Sequence, residues 1–305
     1  MGHNVALMTL TLLVPCFFIL TITFNALGGN ADGVLFKSEI GNISDKYYIE
    51  ITPSGWTFSI WGFIYTWQAL WIIYSMVNLF RKSEKGPYYT YPVLLPVPYH
   101  VIYIANLVLN CGWLLAFDRE ILELACALLF LITVTLYACL FFSYRHLDQG
   151  TAILVKQDRK SDVWLTRFLV QNGLSMYATW CTIATLLNLA FVLSYRSAYD
   201  IGQRNASTVS LSILSAIVLV FLVTDWFFLD RYTRYTFTPY IVLVMAFTGS
   251  ISKNYDAGAR NTIFTIVLLS IAGLASVVKC TLMIWRHCKR TEDSVIITKS
   301  DGVKV

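Results

Sequence analysis

The chain predicts an all-α integral membrane protein of about eight spanning helices. Three observations point there. Apolar residues make up 57% of the 305 residues and charged residues only 13%, against roughly 25% charged in a soluble domain. The apolar residues come in blocks of about 20, the length that crosses a bilayer, and a soluble core could not hide that much apolar surface. No segment shows the short alternating pattern of an outer-membrane barrel. A soluble enzyme, a disordered chain and a nucleic-acid-binding module are excluded.

The spans follow in order. Residues 5–27 form an apolar run too long for a signal-peptide core of about 7–15 residues, with no Lys or Arg before it, so a retained helix is expected. Residues 55–80 and 96–117 are separated by a loop holding Arg81, Lys82 and Lys85. Residues 121–144 and 163–194 flank a loop, 147–162, whose mixed charges read as solvated. Residues 208–228 end before Asp230 and Arg231. Residues 236–252 form the weakest span, short and holding Thr238, Pro239, Gly249 and Ser250. Residues 261–285 close the set, followed by a short polar tail at 291–305 that reads as mobile.

Orientation comes from charge. With the N-terminus inside, fourteen Lys and Arg fall in inner loops and the tail and seven in outer loops, a bias that places both termini in the cytoplasm. The same count supports the seventh span, because deleting it would move Arg286, Lys289 and Arg290 outside. Two N-x-S sequons, at Asn42 and Asn205, fall in outer loops and predict a glycoprotein of the secretory pathway or plasma membrane. All seven Cys lie in or beside apolar segments and neither CxxC nor HExxH occurs, so no disulfide and no metal site are expected. No required cofactor and no catalytic constellation is evident.

Polar residues inside a membrane usually face the bundle interior, and here their spacing is regular. Trp61, Tyr65 and Gln68 fall at i, i+4 and i+7, and so do Asn106, Asn110 and Trp113. Tyr177, Trp180, Ala184 and Asn188 continue at i, i+3, i+7 and i+11. Each set shares one helical face. Three such faces either converge on a small-molecule cavity or pack helix on helix through interhelical hydrogen bonds.

These positions also carry a family resemblance. The segment from Pro53 through Trp56 and Trp61 to Tyr65 resembles the Pro-x-x-Trp…Trp-x-x-x-Tyr signature of the translocator protein / tryptophan-rich sensory protein (TspO/MBR) family. Leu109-Asn110-Cys111-Gly112-Trp113 is similar to its Leu-Asn-Trp-x-Trp, and Tyr177, Trp180 and Asn188 to its fifth-helix pattern. The resemblance covers about residues 1–195. It implies a five-helix bundle, followed here by three further helices at 196–290 and the tail. It also implies a pocket for a hydrophobic planar ligand such as a tetrapyrrole or sterol. Trp56, Trp61, Tyr65, Trp113, Tyr177 and Trp180 would form aromatic walls, with Asn110 and Asn188 orienting a polar edge. The chain departs from the family where Cys111 replaces a tryptophan, where Ser59 or Ile60 stands for a proline, and where the gap from Trp56 to Trp61 is one residue shorter. The ligand is therefore not carried over. By the same resemblance, the mitochondrial outer membrane is the alternative location.

Other signals are weaker. Asp225 and Lys279, at similar depth and of opposite sign, could pair or gate an ion path; the latter would make a transporter or channel-like protein. An enzyme of tetrapyrrole or lipid chemistry has no acid–base pair to support it. Asp230-Arg231-Tyr232 reads as an interfacial anchor. Leu193, Tyr199 and Arg204 fit a loose sterol pattern, Cys288 a palmitoylation site, and the ending Val303-Lys304-Val305 a PDZ-type partner. The expected function is a membrane receptor, sensor or carrier for a hydrophobic small molecule, with the lipid bilayer as its other partner and no nucleic acid.

Overall fold

The computed structural model describes residues 3–31, 33–83, 86–196 and 198–301, with side chains to 289. The terminal Val303-Lys304-Val305 and Lys85 lie outside the described residues. The chain forms α1 (Val5–Asn30), a short α2 (Ile40–Lys46) and a 3-10 turn (Gly55–Ser59) leading into α3 (Ile60–Phe80). A two-residue hairpin, β1 (Lys82–Ser83) with β2 (Gly86–Pro87), precedes α4 (Val97–Asp118) and α5 (Leu122–Lys156). Then α6 (Lys160–Leu165) runs through a π-helical turn (Thr166–Gln171) into α7 (Asn172–Tyr195). A second π-helical turn (Thr224–Phe228) ends α8 (Gln203–Val223), before α9 (Asp230–Thr233), α10 (Thr238–Asn254) and α11 (Arg260–Asp301).

Among the described residues, seven helices are long and apolar enough to cross a membrane, so the protein is an all-α integral membrane protein. A helix satisfies its own backbone, the condition hydrocarbon imposes. The expected eighth helix is α10. At 17 residues it reaches about 25 Å, short of a hydrocarbon core about 30 Å thick. Both of its ends are bonded to the rest of the bundle. At its start the Phe237 N–H and the Thr238 hydroxyl donate to Asn172. At its end Lys253 pairs with Asp45 and the Asn254 amide donates to the Thr52 carbonyl.

The loops sort into the same two ends. At one, Asp118 accepts from the Lys37 and Ser38 N–H groups, Lys46 pairs with Glu120 and Arg204 with Glu50. At the other, buried Asp162 pairs with Arg159 and Arg81 at 2.9 and 2.7 Å. The Tyr88 ring lies 3.6 Å from the Arg159 guanidinium and 4.3 Å from that of Arg81. The most enclosed of these spans is the one ending in α7, about two-thirds of its apolar stretch being buried.

Two sequence expectations are corrected. The 147–162 segment is not a solvated loop. α5 continues to Lys156 because Leu147, Leu154 and Val163 form a small apolar cluster of their own, with Gly150 packed against Pro92. The final helix likewise continues past 290 to Asp301, where a mobile tail was expected.

Candidate aromatic site and cavities

Trp61, in the first turn of α3, is the centre of an aromatic cluster. Its ring stacks on Tyr65 at 5.5 Å and on Trp113 at 6.2 Å. It meets Tyr177 and Trp180 edge-on at 5.9 and 6.3 Å. Three helices supply these rings, with the spacing that sets each pair on one face. Asn110 sits beside them, fully buried. Its amide donates to the Tyr177 hydroxyl at 2.9 Å and accepts from Asn25 of α1 at 2.9 Å. Asn25, Phe58 against Trp180, and Phe117 against Trp113 belong to the site and were missed. Asn25 carried a signal, as a polar residue in the first apolar run; Phe117 lies one helical turn after Trp113.

Two expected site residues lie elsewhere. Trp56 stands half exposed on the 3-10 turn, and its indole N–H donates to Ser252 of α10 at 3.3 Å. Asn188 donates to the Ala184 carbonyl of its own helix, almost 17 Å along α7 from Tyr177 at about 1.5 Å per residue. Gln68 and Asn106 also leave the cluster. Gln68 accepts from Trp71 and donates to the Gly173 carbonyl, while Asn106 donates to Thr135 and the Ile132 carbonyl on α5.

The rings pack against one another. The two large cavities lie apart from the cluster and take none of the eight expected ligand residues. One, of about 730 Å³, is apolar and lies between α5, α7, α8 and α10. The other, of about 710 Å³, is rich in Arg and Lys and lies near the loop end marked by Asp148 and Arg231.

The family model described as TSPO-like protein matches residues 11–282. The chain belongs to the TSPO-like protein family. Neither the curated proteins nor the solved structures provide a match. The family match does not stop at residue 195 but continues through α8 and α10 into α11.

Those later helices of this TSPO-like protein hold a buried ion pair. Lys279 of α11 meets both carboxylate oxygens of Asp225, at 3.0 and 2.8 Å, and also donates to the Thr233 carbonyl at 3.0 Å. The Tyr240 hydroxyl of α10 donates to the same carboxylate at 2.6 Å and accepts from the Trp226 indole at 2.9 Å. The ion pair thus joins α8, α10 and α11. Around it, Asp230 pairs with Arg234 and Arg286, and Arg231 reaches Asp148 on α5. The Asp230-Arg231-Tyr232 segment is therefore a lock between helices. Outside the membrane span, its arginine partners hold the Asp230 carboxyl below the usual carboxylate range despite the opposing effect of burial.

Proposed function

We propose that this TSPO-like protein is a membrane receptor, sensor or carrier that binds a hydrophobic planar small molecule, such as a tetrapyrrole, sterol or similar lipid, at the aromatic cluster around Trp61. The observation that carries this reading is a set of buried donors without partners. Trp113 Nε1, Trp180 Nε1 and the Tyr65 hydroxyl make no hydrogen bond, and all three rings pack on Trp61. Each such donor costs about 1–3 kcal/mol when unmet. A carbonyl or carboxylate of a ligand inserted between the rings would recover that loss, and each stacked ring pair would add about 0.5–1.5 kcal/mol. Because the rings now touch, binding goes with rotation of Trp61, which is only partly buried.

The test is titration of the purified protein with protoporphyrin and with a fluorescent sterol, read by tryptophan quenching and by thermal stabilisation. Trp61→Ala and Asn110→Ala should each weaken binding about tenfold, near 1.4 kcal/mol. If both variants fold and bind as the parent does, the aromatic site is wrong.

A second reading, a secondary transporter, draws on Asp225. This residue lines the 730 Å³ cavity and its carboxylate holds Lys279. Uptake in proteoliposomes that Asp225→Asn abolishes would favour it.

The reading places both termini in the cytoplasm, takes α10 as the eighth crossing, and puts the protein on the secretory route. Asn42 and Asn205 support this, being exposed at the same end of the bundle. A mobility shift on glycosidase treatment, lost in Asn42→Gln and Asn205→Gln, is expected. Absence of any shift would favour the alternative, the mitochondrial outer membrane.

A further inference from the structure

The two large cavities share a rim, with Tyr144, Asp148 and Tyr232 lining both. Each is of ligand size, and together they are amphipathic. The first is lined by Lys156, Arg167, Arg231 and Arg234 against the carboxylate of Asp148. Three of these charges are partly met, Arg231 by Asp148, Arg234 by Asp230 and Arg167 by the ring faces of Tyr235 and Trp164, while Lys156 makes no ion pair among the described residues. Gln171 lines the same cavity. It is 2% exposed, and its amide Nε2 has no hydrogen-bond partner. The second cavity is walled by Leu140, Phe141, Ile217, Val218, Phe221 and Leu243.

Local backbone geometry marks the same place twice. The π-helical turn at Thr166–Gln171 supplies Arg167 and Gln171 to the first cavity. The π-helical turn at Thr224–Phe228 supplies Thr224 and Asp225 to the second. Such insertions are rare and concentrate at functional sites. The depth also matches one class of ligand. Along α8 the apolar cavity is lined from Leu214 to Thr224, about 15 Å at 1.5 Å per residue, which is half the roughly 30 Å hydrocarbon core. Phe141 and Val220, 55% and 62% exposed, give it a flank open to the bilayer.

We propose that the paired cavities hold one membrane lipid with an anionic headgroup. The headgroup sits against Lys156, Arg167 and Gln171, and an acyl chain lies in the cleft between α5 and α8. Basic pockets between spanning helices recognise acidic headgroups in this way. Buried Gln171 supplies a donor that a phosphate or carboxylate oxygen satisfies. The site is independent of the Trp61 cluster and stands or falls apart from it.

The experiment uses the full chain in detergent and measures thermal stabilisation and lipid retention by native mass spectrometry. Phosphatidylglycerol, phosphatidylcholine and inorganic phosphate are the three probes. Phosphatidylglycerol should stabilise the protein and remain bound one to one, with the other two inactive. Lys156→Gln combined with Gln171→Leu, and separately the cleft-filling Ile217→Trp, should each weaken retention about tenfold. Lys289→Gln, outside both cavities, should not. Equal effects of the two lipids, full stabilisation by inorganic phosphate alone, no effect of any probe, or equal loss in Lys289→Gln would overturn the proposal. So would undiminished retention in both cavity variants. Thermal unfolding of each variant without lipid separates lost binding from lost folding.

Discussion

Asn110 shows how much one side chain can tie together inside a membrane. Its amide links α1, α4 and α7 by giving a hydrogen bond to Tyr177 and receiving one from Asn25. Interhelical bonds of this kind average about 0.6 kcal/mol and reach about 1.7, so Asn110→Leu should destabilise by about 1–2 kcal/mol in an unfolding titration. The Asp225–Lys279 pair is a stronger case. Removing either partner strands a charge that is 2–3% exposed, and loss of one member of a buried pair costs about 3–5 kcal/mol. Lys279→Met should fall in that range, and the double variant with Asp225→Leu should recover most of it. At the opposite end, Lys46 and Tyr47 hold the Glu120 carboxyl below its usual range. A carboxylate favoured by the fold supports it above its ordinary pKa and loses that support as pH falls through the lowered one. Hydrogen exchange around Lys46 and Tyr47 should therefore quicken below about pH 4 and become insensitive to acid in Glu120→Gln. Tyr47 itself is pushed up to about 12, first by desolvation and then by Glu120. Its contribution persists below the ordinary value of 10 and is lost as pH rises through 12.

At the scale of the element, helical spacing made much of the aromatic site legible. Trp61 and Tyr65 are one turn apart, as are Tyr177 and Trp180, and periodicity alone puts each pair on a face. Spacing could not show which neighbour each face would meet. Trp56 turns to Ser252 because α10 arrives there from nearly 200 residues away, and Asn188 finds an acceptor in its own helix. The extension of α5 was illegible for a different reason: beyond the hydrophobic run its helix is held by a few contacts to distant segments rather than by composition. The arrival of α10 depends on Gly249, whose carbonyl accepts from the Ser54 N–H at 3.0 Å. A Cβ at that position would collide with the Thr57 side chain. Gly249→Ala should cost about 1–3 kcal/mol through overpacking. Thr57→Ala should relieve it, and a double-mutant cycle measures the coupling.

For the whole molecule, composition and charge were enough to give a helical membrane protein, and the family match agrees across residues 11–282. The contacts between the first five helices and the later ones were not readable from the sequence, because a resemblance confined to the first five helices invites a division at 195. The contacts run across that division. The Ser210 hydroxyl donates to the Leu186 carbonyl at 2.8 Å, and Asn172 bonds both Tyr235 and Phe237. A fragment ending at residue 195 should lack a cooperative thermal transition, and co-expression with the remaining chain should restore it; an equally sharp transition in the fragment alone would show two independent units.

With α10 as the eighth crossing of the proposed topology, its brevity bears on which bilayer fits the protein. Part of this helix faces outward, with Ile241 about half exposed, and its polar ends are bonded in place, so it cannot lengthen to meet a thick bilayer. Hydrophobic mismatch of this kind costs fractions of a kcal/mol for each ångström and sorts proteins between membranes. On that flank a thin, sterol-poor bilayer fits with less deformation than a thick, sterol-rich one. Vesicles of graded acyl length should therefore show the highest thermal stability at the thinner end of the series.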